Sequence, residues 1–410
     1  MSYLEKLLEG VMVEWKSIGE ILIRTKGTNI TASQMKELHK DGAPLKIFAG
    51  GKTIAFFDYN DIPLKDVNRE PSIIVKSRGV IEFEYYDGPF SHKNEMWSYH
   101  SASENINIKF VYYYLKIQEL HFRNIASKMQ MPQISIPDTE KFKIPIPCPE
   151  NPKKSIEIQQ KIVGILDKFT ELTAELTAEL TAELTARKQQ YNYYREQLFV
   201  FDEDKVQHLP LGDKNVGEFQ RGKRFVKTDL INEGVPTIHY GEMYTHYGTW
   251  ATKTKSFVSE ELVESKNLRV AQKGDVVIVA AGETIDDIGK GTAWLGDERV
   301  VIHDACFSYK TVLNPKFVAY FTRTKQFHDQ IKKHISSGKI SAINASGLGK
   351  AIIPVPSPEE QERVVSILDK FDTLTNSISE GLPKEIKLRQ KQYEYYRDLL
   401  LTFPKNNLEV

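Results

Sequence analysis

Ile144-Pro-Ile-Pro-Cys-Pro-Glu150 and Ile353-Pro-Val-Pro-Ser-Pro-Glu359 are two copies of one lead-in, and the segment after each copy is repeated too. Ile165-Leu-Asp-Lys-Phe169 returns as Ile367-Leu-Asp-Lys-Phe371, and Tyr191-Asn-Tyr-Tyr-Arg195 returns as Tyr393-Glu-Tyr-Tyr-Arg397. From Phe169 to Phe371 and from Tyr191 to Tyr393 the step is the same, 202 residues, so nothing is inserted between these blocks. Upstream the match loosens: Lys109-Phe-Val-Tyr-Tyr-Tyr114 resembles Lys316-Phe-Val-Ala-Tyr-Phe321, and Trp15-Lys-Ser-Ile-Gly-Glu20 resembles His208-Leu-Pro-Leu-Gly-Asp213. A chain of 410 residues exceeds what one core organises, and this internal repeat says how it is divided. Each half is a variable globule followed by a helical tail.

The tails carry helical periodicity. Ile162, Leu166, Phe169, Leu172, Leu176, Leu180 and Leu184 recur at steps of three and four, the period of one apolar helix face. Thr-Ala-Glu-Leu runs three times without a break from Thr173 to Leu184. Four residues advance a helix by about 400°, so the leucine stripe drifts about 40° per repeat and is expected to stay on one buried side. The second tail offers Val365, Leu368, Phe371, Leu374 and Ile378, and Gly381 and Pro383 are expected to break it into a kinked pair. A stripe of about 40 residues spans about 60 Å, longer than a small domain is wide, so the two tails are expected to pack antiparallel against one another. A helix lying only on its own globule is the alternative.

The globules alternate strand-like runs with turns, as in Leu45–Phe48, Ser72–Lys76, Asp275–Ala280 and Ala351–Val355. Each also holds one helix-like stretch, Phe110 to Asn124 and Phe317 to His334. The fold class expected is therefore α+β, with two related globules joined by a pair of long antiparallel, coiled-coil-like helices.

Composition narrows the function. Apolar residues at 40% and charged residues at 27% describe a globular chain, not a disordered one. No run of about 18 apolar residues and no basic leader before an apolar run is present, so no membrane span and no export are expected. Two cysteines, Cys148 and Cys306, build neither a disulfide framework nor a four-thiolate zinc site, which fits a reducing cytoplasm. Net charge is zero, although residues 210–358 hold 20 basic against 16 acidic residues.

Catalytic motifs fail one by one. Gly50-Gly-Lys-Thr53 resembles the end of a phosphate-binding loop, but Lys46 stands where its first glycine belongs. Asn151-Pro-Lys and Asn314-Pro-Lys lack the second proline and aromatic of an amino-methyltransferase motif. Pro137-Asp138 lacks the spacing of a nuclease acid and lysine, and His303-Asp304 is expected to be a satisfied polar pair. No active site, metal or cofactor is assigned.

The remaining feature is a set of basic, glycine-containing turns suited to DNA, where Arg, Lys, Gln and Asn read base edges and meet phosphates. Phe219-Gln-Arg-Gly-Lys-Arg224 has its counterpart in Arg24-Thr-Lys-Gly27, and Lys76-Ser-Arg-Gly79, Ser127-Lys128 with Gln130, and Ser336-Ser-Gly-Lys339 add further loops. Each turn alone reads as a solvated surface loop. Together they nominate Arg24, Lys26, Lys76, Arg78, Lys128, Gln220, Arg221, Lys223, Arg224 and Lys339 as DNA contacts.

The duplicated lead-in, the two Ile-Leu-Asp-Lys-Phe blocks, the Tyr-x-Tyr-Tyr-Arg helix ends and the Thr-Ala-Glu-Leu repeats resemble the specificity subunit of type I restriction-modification enzymes over nearly the whole chain. Gly274-Asp-Val-Val277, Ile288-Gly-Lys290 and Ile302-His-Asp304 resemble the family's target recognition domains. The resemblance implies target recognition domains over residues 1–150 and 205–358 and conserved helical regions over 151–204 and 359–410. It implies a non-catalytic bacterial cytoplasmic subunit whose two domains each read half of a split sequence in double-stranded DNA. Partners implied are two methyltransferase (modification) subunits and the motor and nuclease (restriction) subunits. A structural coiled-coil adaptor without sequence reading is the competing class, which the paired basic globules disfavour.

Overall fold

The structure, a computed structural model, describes residues 3–126, 131–338, 340–377 and 379–404. It divides into two compact units, Met1–Ala178 with Lys387–Val410, and Glu179–Ile386. The division crosses the chain inside the Thr-Ala-Glu-Leu repeats and again between Ile386 and Lys387. Each unit thus contains one globule, the near part of its own tail, and a piece of the other tail.

In the first unit, a four-stranded antiparallel sheet runs in the order Ile23–Lys26, Trp97–His100, Ser72–Lys76, Glu82–Tyr86. A second sheet orders Ile54–Phe57, Leu45–Phe48 and Phe90–His92, the last pair being parallel. Helix α1 (Ile108–Ile117) starts at Asn107, whose side chain accepts the Lys109 and Phe110 amides and satisfies two orphan donors of the first turn. It buries Phe110, Val111 and Leu115 against Ile73, Val75, Phe83 and Tyr99 of the first sheet. The proline-rich lead-in forms a strand, Lys143–Pro147, paired antiparallel with Val13–Ser17. A ladder of only two strands leaves edges on which prolines need not donate. From it the chain enters helix α2, Pro152–Gln197, 46 residues and about 70 Å long.

The second unit repeats this plan. Gly217–Arg221, Cys306–Thr311, Val276–Val279, Gly291–Trp294 and Trp250–Ala251 form a five-stranded sheet, and Ser256–Val258, Val235–Ile238, Val300–Ile302 and Val270–Ala271 a four-stranded one. Val235–Ile238 and Val300–Ile302 run parallel, as do their counterparts in the first unit. Helix α3 (Pro315–Phe321) is capped by Asn314 as α1 is by Asn107. The second lead-in, Ile352–Val355, pairs with Gln207–Pro210 and feeds helix α4 (Pro358–Asn376), which is followed by α5 (Leu382–Leu401). The tail is broken into two helices as expected, but the break lies between Asn376 and Leu382 and includes Gly381, while Pro383 stands in the first turn of α5; Ile378 lies outside the described residues.

The tail contacts are reciprocal. In the first unit the Phe169 ring of α2 lies 6.0 Å from Tyr396 of α5, and the Thr170 and Tyr393 hydroxyl oxygens are 3.0 Å apart. In the second, Phe371 of α4 lies 5.5 Å from Tyr194 of α2 and 6.1 Å from Tyr191. Phe371 stands 202 residues after Phe169, and Tyr396 the same step after Tyr194, so one contact is the sequence image of the other.

Two expectations need correction. The leucine stripe is not buried on one side: Leu172 and Leu176 are 49% and 40% exposed, and Leu180 and Leu184 are half-buried. The drift of the four-residue repeat spreads these leucines over about 120°, wider than one neighbouring helix covers. The single helix-like stretch of each globule is also two helices. After α1 a second one begins at Glu119, and after α3 a second begins at Lys325 because the Thr324 hydroxyl caps it by accepting the Phe327 amide.

Candidate nucleic-acid interface

The first unit carries a cleft of about 480 Å³ at one end of its four-stranded sheet. Arg24 and Lys26 reach it from the edge strand, Arg78 from the turn after Ser72–Lys76, Asn94 from the turn before Trp97, and Gln133 from the segment that returns toward the lead-in. Backbone pairing brings the last two walls together: Arg78 bridges Gln133, the Gly79 amide donates to Pro132 O at 2.9 Å, and Ile134 donates to Ser77 O at 3.0 Å. Gly79 has φ of +72°, a conformation that a side chain disfavours, and so turns the chain at this rim. Arg24 is held by Glu140, Nε to Oε1 2.9 Å. Lys26 and Arg78 are exposed and make no ion pair among the described residues, which leaves two cations at the rim beside an exposed Asn94 and a half-buried Gln133.

Behind the cleft the backbone passes so close to its neighbour that only glycine fits at position 27. A Cβ there would lie 2.1 Å from His92 O and 2.4 Å from His92 Nδ1. His92 is wholly buried; Nδ1 donates to Lys93 O at 3.1 Å and Nε2 accepts from the Ser98 hydroxyl at 3.2 Å. Burial lowers its pKa, so the ring is neutral at physiological pH, consistent with one donor and one acceptor nitrogen.

The second unit has a similar construction at the end of its own edge strand. Lys26 pairs with Trp97 and is followed by Gly27; Arg221 pairs with Phe307 and is followed by Gly222. A Cβ on Gly222 would lie 2.2 Å from His303 O. His303 is buried, with Nε2 donating to Phe225 O at 2.9 Å and Nδ1 lying 3.1 Å from the Ala305 amide and 2.9 Å from Asp304 Oδ1, the expected pair. Burial first, despite Asp304, holds its pKa below the ordinary histidine value. It is a structural histidine.

Arg221 Nε donates to Asp304 O at 2.9 Å, which fixes the guanidinium, and Lys223 Nζ lies 3.4 Å from Lys266 O. Gln220 and Arg224 lie in the same segment. The facing wall differs between units: where the first has Arg78 against Gln133, the second pairs Ala281–Gly282 with Ser341–Ala342. Cations thus converge from separate chain segments in one unit and lie along a single segment in the other.

Lys76 departs from its expected role. Its side chain is buried, with Nζ 2.7 Å from Glu84 and 3.2 Å from Glu82. Burial opposes its charge, but the two carboxylates hold its pKa above the ordinary lysine value. It braces two neighbouring strands and has no open face for a phosphate. Lys128, Gln130 and Lys339 lie outside the described residues. Asn94 and Gln133 were missed by sequence reasoning, because neither lies in a basic turn and only strand pairing carries them to the cleft. Among the described residues no group of histidine, cysteine and carboxylate side chains could hold a metal ion, and no helix is long and apolar enough to cross a membrane.

Two related sheet domains, each with a polar basic rim and each running into a long helix, define a duplicated binding protein. The chain belongs to the family whose model is described as type I restriction modification DNA specificity domain, which matches it twice, over residues 12–186 and 204–388. It is 37% identical over 415 residues to the EcoR124I/EcoR124II specificity subunit of Escherichia coli, covering 99% of this chain and 98% of that one. It is 30% identical over 407 residues to the EcoprrI specificity subunit of Escherichia coli, covering 93% and 92%. The solved HsdS subunit from Thermoanaerobacter tengcongensis shares the fold at a TM-score of 0.54, with 15% identity over 95% of this chain and 96% of that one. The chain is a specificity subunit, a non-catalytic DNA-recognition component with two recognition domains.

Proposed function

We propose that each recognition domain reads one half of a bipartite site in double-stranded DNA, and that the helices set the spacing between the halves. The carrying observation is the similar rim: Lys26 and Arg221 each end an edge strand of their sheet and precede a glycine, Gly27 or Gly222, that lies against the carbonyl of a buried histidine. The reading domains span residues 1–150 and 205–358, and the helical regions 151–204 and 359–410. Arg24, Lys26, Arg78, Gln220, Arg221, Lys223 and Arg224 meet DNA, joined by Lys128 and Lys339. The different facing walls give the two domains different base preferences.

The helices also dock methyltransferase subunits. Tyr193 and Tyr194 in one unit and Tyr395 and Tyr396 in the other are exposed aromatic pairs, 202 residues apart, on matching helix ends. Two equal surfaces suit two copies of one partner, and the restriction subunits join that assembly. The assembly works in the bacterial cytoplasm, where Cys148 and Cys306 are buried free thiols.

The test is the double variant Lys26→Ala, Arg78→Ala in the complex with methyltransferase subunits. Removing two phosphate or base contacts is expected to weaken specific binding about tenfold or more and to reduce the slope of log affinity against log salt by about two. Unchanged affinity and slope in a folded variant would remove this cleft from the DNA interface.

A further inference from the structure

The joint between each recognition domain and its helix is built twice from the same parts. In the first unit, Lys109 and Tyr113, one turn apart on α1, converge on Asp167 of α2: Lys109 Nζ is 2.8 Å from Oδ2, and the Tyr113 hydroxyl donates to Oδ1 at 2.6 Å. In the second, Lys316 and Tyr320 of α3 converge on Asp369 of α4, each at 2.7 Å. Asp369 follows Asp167 by the same 202 residues. Each lysine also lies over an aromatic ring from an outer strand of its recognition sheet, Tyr85 at 5.3 Å and Trp250 at 4.5 Å. Sheet, connecting helix and long helix therefore meet at one carboxylate.

A second fastening sits eight residues earlier on each rod. Gln159 Oε1 accepts the Asn107 amide at 2.9 Å, and Gln361 Oε1 accepts the Asn314 amide at 2.8 Å; both glutamines are buried. Two attachment points about 12 Å apart on one helix fix tilt and rotation together. Ile158, Ile162 and Leu166 pack in the same buried cluster as Phe110 and Val111 and constrain the crossing angle by shape, and the polar fastenings add directional contacts to it. Burial, reinforced by the carboxylates, raises the pKa of both phenols, so Tyr113 and Tyr320 remain donors at neutral pH.

We propose that Asp167 and Asp369 are positioning residues that fix the rotation of each recognition domain on its helix, and with it the phase in which the two DNA half-sites are met. This rests on the bipartite reading above. The carboxylate is needed as such because it accepts from a cation and a hydroxyl at once; asparagine keeps one acceptor and loses the ion pair.

The experiment uses the full chain with its methyltransferase subunits and duplexes whose half-sites stand at the optimal gap and at one base pair more or less. In Asp167→Asn, Asp369→Asn and the double variant, preference for the optimal gap is expected to fall about fivefold, mostly through lost binding to the optimal duplex. Lys109→Met and Lys316→Met, which leave the carboxylates in place, are expected to give the same loss of preference and guard against a misfolded asparagine variant. An unchanged gap preference, or an equal loss on all three duplexes tracking a lowered unfolding midpoint, would overturn the positioning role. Absence of any gap preference in the unmodified complex would instead overturn the bipartite reading itself.

Discussion

Deleting Thr177–Leu180 is expected to shorten the preferred gap between half-sites by one to two base pairs. Four residues remove about 6 Å of α2, and base pairs stack at about 3.4 Å. The deletion falls where the chain passes from one compact unit to the other, so the lost length is taken from the connection and not from either core. It rotates the C-terminal part of α2 by about 40° beyond one full turn, which leaves the leucine stripe nearly in phase. Helix α5 must slip one turn against α2 to follow the shortened rod. Deleting only Thr177-Ala178 is the control: a rotation of about 200° carries Leu180 and Leu184 to the opposite face and is expected to destabilise the chain without producing a new optimum. Binding of both variants to a series of gap lengths checks this. An unmoved optimum in a folded four-residue deletion would show that the repeats do not set the distance.

Gly27→Ala and Gly222→Ala are expected to be the most damaging single changes at the interface. Their added methyl groups would sit 2.1 Å from His92 O and 2.2 Å from His303 O, and a backbone carbonyl in a buried strand crossing cannot swing aside as a long side chain can. The strand end has to lift, at a cost of about 3 kcal/mol or more. Because Lys26 and Arg221 immediately precede these glycines, binding to the matching half-site is expected to fall with stability. Gly50→Ala is the reference: a Cβ there meets nothing within 4 Å, so a change within about 0.5 kcal/mol is expected. Denaturant unfolding of the three variants separates these cases; full stability in Gly27→Ala or Gly222→Ala would refute the close approach.

The duplication was legible because tail residues that pack on each other repeat as sets. Phe169 and Tyr194 recur as Phe371 and Tyr396 with no change of step, since helices in mutual register tolerate no insertion. Strands such as Ser72–Lys76 were legible as apolar runs between turns. The illegible part is set by partners distant in the chain. Arg78 meets Gln133 only through a bridge across 55 positions, and Lys76 is drawn inward by Glu82 and Glu84, whose side chains share its side of the strand pair. Local composition shows a lysine beside a glycine turn in both Lys26 and Lys76. Only pairing shows that one faces solvent and the other two carboxylates. The exposed leucines of α2 were misread for a related reason, because periodicity reports a stripe but not how much of it a neighbour covers.

The central claim, that twin domains read two halves of one site across a helical spacer, is tested most directly by selecting duplexes from a random pool with the chain bound to its methyltransferase subunits. The expected outcome is two short conserved blocks of different sequence separated by an unconserved gap of constant length. A single uninterrupted motif, blocks at variable separation, or no enrichment at all would contradict it.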